Sequence, residues 1–137
     1  MLIKDLSDLD TFVFDFFKHI KVGDVFLLDG PMGVGKPPFV RSFMKLLAFK
    51  ETSSPTFSLI QEYKTSPPVF HIDLYRCESV ESVEFLDLDR YLNQSDHVVF
   101  VEWPTRWNDY PPHTKRVSFK LLENGCREII VKGFMES

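Results

Sequence analysis

Val25-Phe26-Leu27-Leu28-Asp29 runs directly into Gly30-Pro31-Met32-Gly33-Val34-Gly35-Lys36, and this junction decides the fold. The apolar run is too short for a helix and ends at a glycine, so it reads as a buried strand. An amphipathic segment begins at Phe39, which makes the order strand, tight loop, helix. A loop that wraps a polyphosphate must turn successive backbone N–H groups inward, along a path that needs positive φ and close approach, and glycine permits both. The helix behind it adds partial positive charge at its N-terminus, and Lys36 adds a full one. The stretch predicts a cradle for phosphate.

The glycine and lysine spacing from Gly30 to Lys36 is that of a phosphate loop, in which the residue after the lysine is Ser or Thr and its hydroxyl holds Mg²⁺. Pro37 and Pro38 stand there instead. Proline fits the first turn of a helix, so the fold survives, but it has neither a hydroxyl nor an N–H. Charge-assisted hydrogen bonds contribute roughly 1.5–3 kcal/mol each, so two missing donors weaken phosphate binding more than they weaken folding. A proline also disfavours the α region for the residue before it, which re-aims the Lys36 ammonium.

The chain has 137 residues, 44% of them hydrophobic and 14 of them Phe, enough to fill the core of a single domain spanning 1–137. Its net charge of −4 argues against holding nucleic acid through its general field, so an RNA connection passes through a partner. Cys77 and Cys126 are far apart and outside any C-x-x-C arrangement, which suggests neither a disulfide framework nor a zinc site. No stretch approaches the roughly 18–20 apolar residues that span a bilayer, and Lys4, Asp5 and Asp8 do not resemble a signal peptide. A cytoplasmic protein without membrane attachment is expected.

Upstream of the central strand, Leu2-Ile3 reads as a short edge strand. Ser7 or Asp8 offers an N-cap to a helix carrying Leu9, Phe12, Val13, Phe16, Phe17 and Ile20 at helical spacing. Downstream, Thr52 to Phe57 is a breaker-rich loop beside which Ser58 to Tyr63 is strand-like; in nucleotide enzymes such a loop supplies a hydroxyl or carbonyl to the metal and responds to the γ-phosphate. Val69 to Arg76 begins as a buried strand and ends in polar groups. In a parallel sheet this brings Asp73, Tyr75 and Arg76 to the carboxyl edge, where open α/β sheets bind ligands. Asp73 is placed to orient a water or to hold Mg²⁺ through one, Arg76 to meet phosphate or pair with an acid. His71 reads as a strand-packing residue.

Between Glu78 and Asn93, Val80, Val83, Phe85, Leu86, Leu88 and Leu92 suggest one or two short helices. Their acids, Glu78, Glu81, Glu84, Asp87 and Asp89, form an exposed negative surface, either a solvated face or one that a basic partner uses. Val98-Val99-Phe100-Val101 ends in Glu102, the way a Walker-B-type strand presents an acid to the Mg²⁺ of a nucleotide, and Pro104 stops the strand. Val117 to Leu121 and Arg127 to Lys132 flank Asn124-Gly125, a two-residue hairpin signal at the sheet's edge. Arg127, next to that turn, lies over a base or phosphate or, on the plainer reading, faces solvent. The whole predicts an α/β, P-loop NTPase-like three-layer fold: a mostly parallel sheet, helices on both faces, and a C-terminal antiparallel hairpin.

In this order, Gly30 to Phe39, Ser54-Pro55-Thr56-Phe57, His71-Ile72-Asp73-Leu74-Tyr75-Arg76 and Val101-Glu102-Trp103-Pro104 resemble the phosphate loop, switch segment, central signature and Walker B of the TsaE (YjeE) family of small bacterial ATPases. The resemblance covers nearly the whole chain. It implies an accessory ATPase in tRNA N6-threonylcarbamoyladenosine biosynthesis that docks on a TsaD–TsaB complex, with ATP and Mg²⁺ as cofactors and tRNA reached only through that complex. Carried over by position, Gly33, Val34, Gly35, Lys36, Pro37 and Pro38 would embrace the phosphates, with Lys36 bridging the β and γ groups. Thr56 would sense the γ-phosphate, Glu102 would bind Mg²⁺, and Asp73 would assist hydrolysis, supported by Tyr75 and Arg76. Ser7 matches a nucleotide contact in position. The family carries two threonines where this chain has Pro37-Pro38, which leaves two readings: a weakened ATPase, or a partner-binding module that has lost turnover.

Overall fold

The structure, a computed structural model, describes residues 2–31, 33–47, 59–93, 95–107 and 110–133. Its strands are β1 (Leu2–Ile3), β2 (Val25–Asp29), β3 (Ile60–Tyr63), β4 (Val69–Asp73), β5 (Val98–Glu102), β6 (Lys115–Leu121) and β7 (Arg127–Lys132). They form one sheet in the order β1-β7-β6-β2-β5-β4-β3. The central strands β6, β2, β5 and β4 run parallel to one another, while β1, β7 and β3 join antiparallel at the flanks. Val25 to Leu28 and Val98 to Val101 are buried on both sides, as expected of strands covered by helices on each face.

Alternation along the strands divides the core in two. Phe26, Leu28, Val98 and Phe100 face helices α1 (Leu6–His19) and α2 (Lys36–Leu46). The rings of Phe16, Phe26, Phe39, Phe43 and Phe100 meet there at centroid separations between 4.9 and 6.1 Å, mostly tilted or edge-on, the geometry that suits their quadrupoles. Val25, Leu27, Val99 and Val101 face the opposite way, toward α3 (Val80–Glu84) and α4 (Asp89–Leu92), which bury Val83 and Leu92. The three layers follow from the two strand faces.

Several local expectations change. The N-cap of α1 is Asp5, not Ser7 or Asp8: its Oδ1 accepts from Asp8 N at 2.9 Å, while Asp8 Oδ2 accepts from Lys4 N at 2.9 Å, one residue before the cap. The β6–β7 hairpin closes through three residues, 123–125, with Leu122 N donating to Cys126 O at 2.8 Å. Asn124 Oδ1 accepts from Cys126 N, so Asn-Gly supplies the end of a longer loop rather than a two-residue turn. The hairpin lies one strand in from the edge, which β1 occupies. Between Glu78 and Asn93 two short helices form, α3 and α4, separated by Asp87 at φ 54; Val80 is 50% and Phe85 91% exposed.

Candidate nucleotide site

Strands β2, β4 and β5 are parallel, so their carboxyl ends fall on one edge of the sheet and bring Asp29, Asp73 and Glu102 together. Asp73 is in register with Glu102, and Leu28 with Glu102 on the other side. Alternation puts Glu102 on the face of Phe100 and Asp73 on the face of His71, the side that α2 covers. The strand β2 continues into the glycine loop, whose tight path has a steric cause at Gly30: a Cβ there would stand 2.8 Å from Phe119 O. Gly35 holds φ +116 and caps α2 without a side chain.

Lys36, the first residue of α2, is 3% exposed. Its Nζ donates to Gly30 O at 2.7 Å, across the loop, and lies 4.6 Å from the centre of the Trp103 ring. Burial lowers its pKa, and the carboxylates of Glu102, Asp73 and Asp29 oppose that shift, so the ammonium and the Walker-B-type acid act on each other at one edge. Trp103 reaches Lys36 from a left-handed backbone, φ 57 and ψ 50, just before the short 3-10 turn Pro104–Arg106, and also meets the Tyr75 ring at 4.9 Å and the Arg106 guanidinium at 5.9 Å. A bulky residue at positive φ stores strain at a site where side-chain placement matters.

The carboxylates are not equivalent. Glu102 is 5% exposed, and its Oε2 is bound to Nε2 of the buried His71. Beyond the strand packing its position predicts, His71 holds the acid of the neighbouring strand. The pattern that could have found this is its i, i+2 relation to Asp73, which sets both on one face. Asp73 Oδ1 accepts from Tyr75 N at 3.0 Å, yet burial, with Glu102 adding to it, holds the Asp73 carboxyl above the usual range. Burial, again with Glu102, also raises the Tyr63 hydroxyl. Asp29 is tied outward to Arg116 at 3.0 Å.

On the other side of the loop lies a hollow of about 460 Å³, walled by Gly33 to Gly35, Pro37, Pro38, the start of α1 and Arg127. Arg127 is half-buried and turned toward the loop. Its Cδ and Nε lie 3.6 Å from where a Cβ on Gly35 would be, and its buried Nε has no hydrogen-bond partner among the described residues. A buried guanidinium donor without a partner, beside the glycine loop, suits an anion. Ser7 is exposed and adjoins this wall, where Asp5, Leu6 and Leu9 supply the lining. Arg76 is exposed and opens onto a different groove beside α3. Thr56 lies outside the described residues.

The donor set sets limits on a metal. Pro37 offers no hydroxyl, Glu102 and Asp73 each have one oxygen engaged, and among the described residues no three metal-ligating side chains converge. Two carboxylates fit Mg²⁺ when nucleotide oxygens and water complete its octahedron, and not as a protein cage. At the helix start, Pro37 and Pro38 remove two of the first-turn N–H groups and Phe39 N already donates to Gly35 O at 3.1 Å. Little of α2 is left needing a ligand.

A glycine loop between a central parallel strand and a helix, with its lysine beside the acid of the adjacent strand, defines a P-loop-like α/β protein. Residues 3–129 match the family described as "Threonylcarbamoyl adenosine biosynthesis protein TsaE". The chain is 35% identical over 130 residues to the "tRNA threonylcarbamoyladenosine biosynthesis protein TsaE" of Rickettsia bellii, covering 92% of this chain and 89% of that one. It is 40% identical over 112 residues to the protein of the same name from Bacillus subtilis, covering 80% and 69%. The solved structure titled "Crystal structure of Bacillus subtilus YdiB" superposes with a TM-score of 0.78 at 26% identity, over 94% of this chain and 80% of that one. The chain belongs to the TsaE family, whose members are named for tRNA threonylcarbamoyladenosine biosynthesis.

Proposed function

We propose that this chain is the accessory ATP-binding protein of tRNA N6-threonylcarbamoyladenosine biosynthesis, acting in the cytoplasm on a TsaD–TsaB complex, with a phosphate loop impaired by Pro37-Pro38. One observation carries the reading. Lys36 is buried at the mouth of the glycine loop under the influence of Glu102 and Asp73, while Arg127 lies over the same loop with a donor to spare. A phosphate at the loop would give Nζ a charged acceptor in place of the Gly30 carbonyl, and another anionic group of the nucleotide reaching the hollow across the loop would give Arg127 Nε an acceptor where none of the described residues supplies one. Glu102, with Asp73 behind water, would hold Mg²⁺, which supplies charge neutralisation at the β and γ oxygens. Ser7 and Thr56 complete the proposed nucleotide contacts. The chain's net charge of −4 supports reaching tRNA only through the partner.

The missing donors and hydroxyl also favour a second reading, a partner-binding module without turnover. Phosphate release measured with purified TsaD and TsaB, for this chain and for a Pro37→Thr, Pro38→Thr chain, separates them. Slow release that rises on reversion supports the impaired ATPase. Release seen only in the revertant supports the module. No release by either chain, together with no ATP binding by either, would defeat the nucleotide reading.

A further inference from the structure

Beside α3, on the far side of the sheet from α1 and α2, a groove of about 510 Å³ is lined by Leu59, Arg76, Cys77, Glu81, Phe85 and Leu86. Phe85, the residue that follows α3, stands at its rim with 91% of its surface in solvent, and Val80 at the start of that helix is 50% exposed. A lone exposed apolar residue needs no explanation, but a phenylalanine held almost wholly in water next to an open groove marks a contact surface. The helix phase explains this placement: Phe85 caps the end of α3 two residues beyond the buried Val83, about 200° around the axis, and so faces away from the core that takes Val83 and Leu88.

The surroundings select the occupant. Glu78, Glu81, Glu84, Asp87 and Asp89 are exposed, against Arg76 and Arg90, and among the described residues none of these five carboxylates is in an ion pair. A second copy meeting this patch about a two-fold axis would bring the same five acids against themselves. An anionic lipid surface or an RNA backbone would be repelled for the same reason. What remains complementary is a protein surface with an apolar recess and a basic rim. The groove also adjoins the nucleotide edge: Arg76 follows Asp73 by three residues, after Tyr75, which packs on Trp103.

We infer that this groove is the docking face for the partner assembly, which inserts Phe85 into an apolar recess surrounded by lysine and arginine. The inference rests on the partner reading of the proposed function. Phe85 touches neither the loop nor its carboxylates, so Phe85→Ser leaves the thermal melt and ATP affinity unchanged. Titrated against purified TsaD–TsaB at low and at 0.3 M salt, Phe85→Ser is expected to weaken binding about thirtyfold at both, as an interfacial aromatic anchor does. Glu81→Lys with Glu84→Lys is expected to slow association about tenfold at low salt and to flatten the salt dependence.

Sedimentation of the chain alone and flotation with phosphatidylglycerol vesicles test the other occupants. A dimer or vesicle binding abolished by Phe85→Ser would overturn the inference. Partner binding that survives both sets of changes would overturn this docking face and leave the partner reading standing. No binding by the unaltered chain would remove the partner reading and the docking face together.

Discussion

Restoring the two residues after Lys36 should move binding and stability in opposite directions. Pro37 and Pro38 occupy the second and third positions of α2, where an N–H has no partner within the helix and points toward the loop. Replacing both with threonine returns two donors, and a hydrogen bond to a charged group contributes about 1.5–3 kcal/mol. Even at the lower bound the pair adds about 3 kcal/mol, which is a gain of roughly 100-fold in affinity for ADP without metal. Folding responds the other way. Each proline already has helical backbone here, so its removal frees the unfolded chain and costs about 0.4–1 kcal/mol, or about 1–2 kcal/mol for both. The assay is isothermal titration of ADP in EDTA beside urea denaturation of each chain. Adding Mg²⁺ with ATP should tighten binding most where Pro37→Thr adds a hydroxyl next to Lys36 to the acids Glu102 and Asp73, and less in Pro38→Thr alone. Unchanged metal-free ADP affinity in the double variant would refute the account of the prolines.

Asp73→Asn tests the electrostatics of the edge. The Asp73 carboxyl is raised above its ordinary 3.8, first by burial and then by Glu102, so its ionised form is disfavoured in the folded chain. That cost is absent below about the unfolded value, appears as pH rises through the raised folded value and is full above it. Asp73→Asn should therefore have a higher urea midpoint than the unaltered chain at pH 7, with the difference vanishing near pH 3; equal midpoints at pH 7 would count against a strained carboxylate pair. Arg127→Ala should weaken ADP binding about tenfold or more while leaving the urea midpoint unchanged or raised, because the buried Nε has no partner to lose. Gly30→Ala must push a Cβ to 2.8 Å from Phe119 O at the β2–β6 junction, and a loss of folded protein on thermal melting is the expected outcome. Asp5→Ala should cost about 1 kcal/mol through the lost α1 cap, where Ser7→Ala should cost little.

The strand-loop-helix order was readable because it rests on local signals: a short apolar run, glycines at fixed spacing and a helical stripe from Phe39. The same holds for Asp73 and Glu102, since an acid that ends a parallel strand must come to the shared edge. Other features depend on what lies beside them in space. Arg127 reaches Gly35 only because β7 packs against β6 and β6 against β2, a neighbour relation that no local pattern encodes. The bond from His71 to Glu102 needs the β4–β5 register as well as the alternation along each strand. The two short helices between Glu78 and Asn93 were legible from their apolar residues, but Phe85 lies about 200° around α3 from Val83 and stays exposed. The helix begins earlier than Ser7 or Asp8 because Asp5 accepts from Asp8 N and Asp8 in turn holds Lys4 N, so both acids serve the first turn.

The central claim is that Lys36 and the acids at the ends of β4 and β5 serve one triphosphate site at the glycine loop. Titration of ATP into the unaltered chain and into Lys36→Met measures this most directly. The account predicts a single weak site in the first and a loss of at least about tenfold in the second, since a full charge-assisted contact is removed. Equal affinity in the two chains, or no binding by either at millimolar ATP, would contradict it.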